Sequence, residues 1–144
     1  MCVIRKLHHS DYFLGYLELL SELSPFEKCS YDEFIHQFNR IHDNNNIFIY
    51  VIESNGAIVA NGTLIIEDKF IHKNGRVGHI EDIVVHSKLR GQGFGEKIVN
   101  HLVNVATESN CYKIILDCKD ELSKFYGKMD FFVSGKQMRR DLFI

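Results

Sequence analysis

One stretch, Arg90-Gly91-Gln92-Gly93-Phe94-Gly95, carries the plainest chemical signal in the sequence. It stands between an apolar run, His79 to Val85, and an amphipathic one, Phe94 to Ala106. That order predicts a strand, a glycine-rich turn and the start of a helix. Without Cβ atoms the glycine N–H groups can crowd together at the positive end of the helix dipole, which makes a cradle for a diphosphate. The turn lacks the Gly-Lys-Ser/Thr of a P-loop and does not follow the first strand, as a dinucleotide fingerprint would. By itself it would serve equally as a tightly packed αβ connection.

Other residue types bear on chemistry with less force. Glu81 and Asp82 are neighbours in a strand pattern, so alternation sends them to opposite faces and they cannot work as a paired acid and base. Tyr126 follows Phe125 in a helical stretch, where packing competes with a chemical role. Lys69, His72, Lys113, Arg139 and Arg140 are available to an anionic ligand, although lysines and arginines are ordinarily surface charges. The cysteines Cys2, Cys29, Cys111 and Cys118 have no Cys-x-x-Cys spacing, and the eight histidines are scattered. Neither a disulfide framework nor a metal site is indicated.

The elements that must hold these groups are legible from periodicity. Val3 to Leu7 reads as a strand, and Ser10 or Asp11 caps a helix with the apolar stripe Phe13, Leu14, Leu17, Leu20. Pro25 follows it. Ser30 and Glu33 form a capping box for a second helix whose face is Phe34, Ile35, Phe38 and Ile41, ending at Asp43-Asn44-Asn45-Asn46. Ile47–Glu53 and Ala57–Glu67 are strands joined by a Ser54-Asn55-Gly56 turn. Arg76–Val85 is the next strand, then the helix to about Glu108, a strand Tyr112–Asp117, a helix from about Asp120 to Met129, and terminal strands around Phe131–Val133 and Gln137–Leu142. The string is a mixed α/β sheet with helices on both faces.

At 144 residues, 45% hydrophobic and 25% charged, the chain is expected to be one domain over residues 1–144. A net charge of −2 leaves no electrostatic footprint for nucleic acid. No apolar run is long enough to span a bilayer, and Met1–Lys6 lacks a signal-peptide core, so a cytoplasmic location is expected.

Arg-x-x-Gly-x-Gly after a central strand resembles the acetyl-CoA motif of the GNAT acetyltransferase superfamily. Two further segments, Gly78–Val85 and Cys111–Cys118 with Phe125-Tyr126 beyond it, narrow the match. With Ile65–His72 they resemble the glucosamine 6-phosphate N-acetyltransferases. The resemblance runs from about Ile4 to Arg140 and is strongest from Leu64 to Tyr126. It implies the GNAT fold, with a mostly antiparallel twisted sheet, and acetyl-CoA as co-substrate without a metal. It also implies N-acetylation of D-glucosamine 6-phosphate, in UDP-N-acetylglucosamine biosynthesis, by direct attack of the amine in a ternary complex.

The resemblance further implies roles for residues. The backbone of Gly91, Gln92, Gly93, Phe94, Gly95 and Glu96, with Arg90 close by, would hold the diphosphate. Ile83, Val84 and Val85 would lie in a strand splayed from its neighbour, to which the pantetheine arm adds like another strand. Tyr126 would protonate or stabilise the departing thiolate, and Glu81 and Asp117 would face the amino sugar. Lys69, Phe70, Ile71, His72, Asp82, Tyr112, Lys113, Arg140 and, in the loop before Cys29, Ser24 would contact the substrate. Finally it implies a homodimer in which the C-terminal stretch and the Lys69–His72 segment serve the partner's site. Two rivals remain at this point: an acetyltransferase for another amine, such as a protein N-terminus or a polyamine, and a non-catalytic acyl-CoA sensor.

Overall fold

The computed structural model describes residues 1–143. Strands β1 (Cys2–Lys6), β2 (Ile47–Ser54), β3 (Ala57–Asp68), β4 (Arg76–Val85) and β5 (Cys111–Ile115) form one sheet in that order. Neighbours are antiparallel except β4 and β5, which are parallel. A parallel pair needs a crossover, supplied by a 15-residue helix that leads back to the start of the next strand. The helices are α1 (Tyr16–Leu20), α2 (Tyr31–His42), a single turn α3 (Ile71–Asn74), α4 (Phe94–Glu108) and α5 (Ser123–Gly127).

Two apolar layers sandwich the sheet. On one face α4 buries Ile98, Val99, Leu102 and Ala106 against Ile52, Ala60, Leu64 and Ile80. On the other, Tyr16, Leu17 and Leu19 of α1 and Phe34 of α2 pack on Val51, Ile58 and Val84. The helical spacing of the first set and the alternation of the strand residues are the patterns visible in the sequence. Each wholly buried Leu or Ile contributes roughly 1.5–3 kcal/mol, so these layers account for most of what fixes the strands in register.

The mixed architecture, the β2–β3 turn, β4, α4 and the capping box of α2 fall where the sequence places them. The Ser30 hydroxyl accepts from the Glu33 N–H at 3.2 Å, and Glu33 accepts from the Ser30 N–H at 3.2 Å. Asn55 and Gly56 both take positive φ in the hairpin turn. The first helix is different. A 3-10 stretch, His9–Leu14, is capped by the His8 side chain, and Gly15 at φ 87° breaks it from α1. Phe13 consequently points outward, 66% exposed, while Tyr16 and Leu19 enter the core. Asp11 is not the N-cap but the third-residue partner in its capping box: 1% exposed, it accepts from the His8 N–H at 2.8 Å and from both terminal nitrogens of Arg5 at 2.9 and 2.8 Å. A buried carboxylate is tolerable only when paired in this way.

The C-terminal third departs more. β5 stops at Ile115, and the last helix shrinks to a 3-10 turn, Asp120–Leu122, followed by α5. The expected strands at Phe131–Val133 and Gln137–Leu142 do not form, and that stretch has no regular structure. A strand exists only against a hydrogen-bonding neighbour, and none is present here. Phe132, Val133, Met138, Leu142 and Phe143 stand exposed.

His101, on α4, lies against the Tyr50 ring at 4.3 Å with its Nε2 buried and unpartnered. Burial pushes its proton affinity below the ordinary 6.5, only partly offset by Glu108. The unfolded chain therefore binds that proton more readily, and stability is lost as pH falls through this range. His101→Leu is expected to flatten the decline in thermal midpoint between about pH 7 and about pH 5, read by calorimetry at each pH. An unchanged slope would remove His101 as its source.

Candidate active site

β4 is not a regular strand. Asn61 of β3 stands opposite Val84 and Thr63 opposite Glu81, so β4 carries one more residue than β3 across this stretch. The extra residue makes a bulge at Asp82, whose φ is 53°. Asn61, with no exposed surface, donates from Nδ2 to the Asp82 carbonyl at 2.9 Å and accepts at Oδ1 from the Tyr16 hydroxyl at 2.9 Å. Burial, then the charges of Asp82 and Asp11, push the Tyr16 phenol's proton affinity up, so it remains a donor. A Cβ on Gly62 would sit 2.9 Å from side-chain atoms of Ile83 and Leu102, so β3 is tightly packed beside the bulge.

The bulge corrects the expectation of strict alternation at Glu81 and Asp82. A left-handed residue breaks the pleat, and both side chains are exposed. Glu81 holds its proton more tightly than an ordinary carboxyl, first through burial and then through repulsion from Asp82 and Asp117. Asp117, just beyond β5, is thus brought toward Glu81 although the two are distant in sequence.

The second departure is the parting of β4 and β5. Pairing runs from Arg76 opposite Cys111 to His79 opposite Ile115 and then ends. From Ile80 to Val85 the β5 side of β4 has no strand partner. Beyond the opening lies α5, where Tyr126 is 7% exposed between Phe125 and Phe131, with ring centroids 4.9 and 5.9 Å away. Burial, with a smaller contribution from Cys118, raises the proton affinity of its phenol. Tyr126 is both a core aromatic and a group near the opening, so packing and chemistry are not exclusive readings.

The glycines of the turn divide their work. Gly91 and Gly93 have φ of 80° and 86°, and a Cβ on either would meet nothing within 4 Å. They are required by backbone conformation and leave open space in front of the α4 N-terminus, where Gly93 is the N-cap without a side-chain cap. Gly95 is a packing glycine: its Cβ would come 3.2 Å from the Phe125 ring and 3.7 Å from Val85. The cradle, β4 and the Tyr126 helix therefore meet at this residue. Arg90 donates through Nε to the Val85 carbonyl at 3.2 Å and pairs with Glu22 at 3.4 Å, while Gln92 and Glu96 are exposed.

The expected substrate cations do not gather around Glu81 within one chain. Lys69 pairs with Glu67 at 2.9 Å, and Glu67 also meets His79 at 3.0 Å, an arrangement that lowers the Glu67 proton affinity. His72 and Lys73 in α3 are left-handed, and the His72 ring lies on Tyr112 at 4.1 Å. Lys113 extends over the same Tyr112 ring, 5.8 Å from its centroid. This cluster lies at the Arg76 end of β4, whereas Glu81 and Asp117 lie toward the other end. Phe70 and Ile71 are exposed beside it, 94% and 61%. Arg140 is exposed in the irregular tail, and Arg139 pairs locally, with Asp141 at 2.6 Å. Ser24 lies in the exposed loop between α1 and α2.

A groove of about 370 Å³ runs between α2 and β2, along Phe34, Phe38 and Ile49, to Thr63 and Asp82. It opens the α1–α2 face toward the bulge. Among the described residues no group of His, Cys, Asp or Glu side chains is arranged to hold a metal ion. Sequence reasoning missed Tyr16, Asn61 and Glu22. An asparagine within the apolar run Ile58–Ile66 was the one available signal, because a buried amide in a strand must be answered by partners.

The family model of the acetyltransferase (GNAT) family matches residues 4–131. The chain is 39% identical over 140 residues to glucosamine 6-phosphate N-acetyltransferase of Arabidopsis thaliana, covering 95% of this chain and 94% of that one. It is 40% identical over 136 residues to glucosamine 6-phosphate N-acetyltransferase of Candida albicans, covering 93% and 91%. The crystal structure of the Arabidopsis enzyme superposes with a TM-score of 0.95 at 38% identity, over 98% of both chains. The sheet that parts after His79, the glycine turn at the head of α4 and these likenesses lead to one conclusion: the chain belongs to the GNAT acetyltransferase family, among the glucosamine 6-phosphate N-acetyltransferases.

Proposed function

We propose that this chain, as one domain over residues 1–144, transfers the acetyl group of acetyl-CoA to the amine of D-glucosamine 6-phosphate. The products are N-acetyl-D-glucosamine 6-phosphate and CoA, and the step serves UDP-N-acetylglucosamine biosynthesis in the cytoplasm. The observation that carries the reading is the open β5-facing edge of β4 from Ile80 to Val85, with the glycine cradle at one end and Glu81 near the other. That geometry suits an extended pantetheine arm whose diphosphate rests on the α4 N-terminus. Relatives that bear this activity in their names supply the substrate.

Acetyl-CoA supplies the activated thioester. The residues present suit it: Gly91 and Gly93 leave room for a diphosphate against the backbone amides Gly91–Glu96, and Arg90 adds a cation at the rim. Ile83, Val84 and Val85 offer main-chain groups to the arm, and in this reading the Ile83 N–H polarises the thioester carbonyl. The amine bonds to the acetyl carbon as the carbon–sulfur bond breaks. Glu81 takes the amine proton, directly or through a water, and its raised proton affinity makes it a better acceptor than an ordinary carboxylate. Asp117 orients the amine beside it. Tyr126, kept protonated by burial, delivers a proton to the leaving sulfur.

The phosphate falls to Lys113, with Lys69, Phe70, Ile71, His72, Tyr112, Asp82, Ser24 and Arg140 completing the sugar site. Lys69, Lys113 and Arg140 lie away from Glu81 in one chain, which a homodimer would resolve by lending each chain's α3 segment, with the adjoining Tyr112 and Lys113, and its tail to the partner. The exposed Phe70, Ile71, Phe132, Val133, Leu142 and Phe143 support such an interface.

Free thiol released from acetyl-CoA, measured with glucosamine 6-phosphate beside glucosamine, glucose 6-phosphate and spermidine, tests the reading. Release confined to the phosphorylated amino sugar is expected. Release with a different amine would replace the substrate, and tight CoA binding with no release would leave a sensor. Tyr126→Phe is expected to lower kcat about a hundredfold with acetyl-CoA affinity nearly intact. An equal loss of affinity would assign Tyr126 to packing. Lys113→Ala is expected to raise KM for the phosphorylated sugar roughly tenfold while leaving turnover of unphosphorylated glucosamine alone. Equal effects on both sugars would take Lys113 out of the phosphate site.

A further inference from the structure

Tyr16 and Asn61 touch neither the thioester nor the amine in the reading above, yet both are committed to a single point of the backbone. We propose that they are positioning residues for acetyl transfer: they hold the bulge at Asp82 so that the Ile83 N–H and the Glu81 carboxylate keep their register with the reacting groups. The inference rests on the function proposed above.

The first argument is chemical economy. Asn61 is wholly buried in β3 between Ala60 and Gly62, where an apolar side chain of similar size would pack without a polar cost. Its amide does what an apolar group cannot. Nδ2 donates to the Asp82 carbonyl, an acceptor that the bulge removes from the regular ladder, and Oδ1 takes the Tyr16 hydroxyl. Asp82 holds a left-handed φ that a non-glycine residue keeps only where its surroundings enforce it.

The second argument is the placement of α1. Tyr16 stands at its start, 4% exposed and edge-on to Phe34 at 6.1 Å. Just past its end, Glu22 accepts from the Ser87 N–H at 3.0 Å and from Arg90 at 3.4 Å. The same short helix is thus fastened to β4 at the bulge and again between β4 and the glycine turn. These two anchors bracket Ile83–Val85, within the stretch of β4 that has no β5 partner to hold it straight. A strand edge left open for a ligand needs its position set from the other side, and α1 sets it through these bonds.

The test compares wild type, Tyr16→Phe, Asn61→Leu and the double variant, using thiol release with acetyl-CoA and glucosamine 6-phosphate, CoA affinity by calorimetry, and the thermal midpoint. Tyr16→Phe keeps the ring and removes only the hydroxyl. It is expected to lower kcat roughly tenfold, with KM for acetyl-CoA and the CoA affinity within about twofold of wild type. Asn61→Leu is expected to follow the same pattern, and the double variant to be no slower than the slower single one, because the groups act as one chain of bonds. Unchanged kcat in Tyr16→Phe, multiplicative losses in the double variant, or a fall in CoA affinity matching the fall in kcat would overturn the proposal. Wild type that releases no thiol with any amine would instead overturn the reading beneath it.

Discussion

The sheet can pair β4 with β5 only as far as His79, and the rest of the site follows from that limit. Up to His79 the two strands share a parallel ladder; beyond it, β4 runs on to Val85 paired with β3 only, its other edge open. An unpaired run of backbone beside a buried core is costly unless something satisfies it. A ligand with amide groups in an extended chain can do so, and the opening is placed so that its far end would arrive at the head of α4. The bulge at Asp82 and the short β5 are two parts of one device, which turns β4 away from the path a regular strand would take.

The charges sort by position along β4. Glu81, Asp82 and Asp117 gather where the strands part, and their mutual repulsion adds to burial in raising the proton affinity of Glu81. The cations collect at the opposite end, where Lys69, His79 and Glu67 form one group and His72, Tyr112 and Lys113 another. A single chain therefore keeps an acidic group, Glu81, Asp82 and Asp117, at one end of β4 and a basic half, with Lys69 and Lys113, at the other. The apolar tail and the exposed Phe70 and Ile71 flank the basic half, which is the pattern of surface that a partner covers.

Packing and function meet most closely at Gly95 and Tyr126. Gly95 admits the Phe125 ring to the first turn of α4, and that contact seats the helix that carries Tyr126. The phenol is packed edge-to-face in the core and still near enough to Cys118 to feel its charge. A side chain packed in this way is already fixed in place and has little rotational freedom left to lose. The glycine turn acts similarly: Gly91 and Gly93 are already in the left-handed conformation that leaves the helix N-terminus clear.

Much of this was legible in the residues. Periodicity located β2, β3, β4, α2 and α4, because their apolar stripes are long and their caps and turns are local, as with Ser30 and Glu33 or Asn55 and Gly56. The motif from Arg90 to Gly95 and the segments around Glu81 and Asp117 pointed to the family, since such signals are written in consecutive residues. What consecutive residues could not decide was any feature that depends on a neighbour in space. Alternation placed Glu81 and Asp82 on opposite faces, and only the register with Asn61 and Thr63 reveals the bulge. The tail reads as strand by composition, but strands need partners, and within the chain it has none. Sequence by itself determined the order of β1 to β5 with α2 and α4 among them, the glycine turn after β4 and the family, because these rest on local spacing. The tertiary structure alone decided where β4 leaves β5, how Tyr16 and Asn61 fasten it, and which charges share an end of the sheet, because hydrogen bonds and charges act between groups that the chain brings together only when folded.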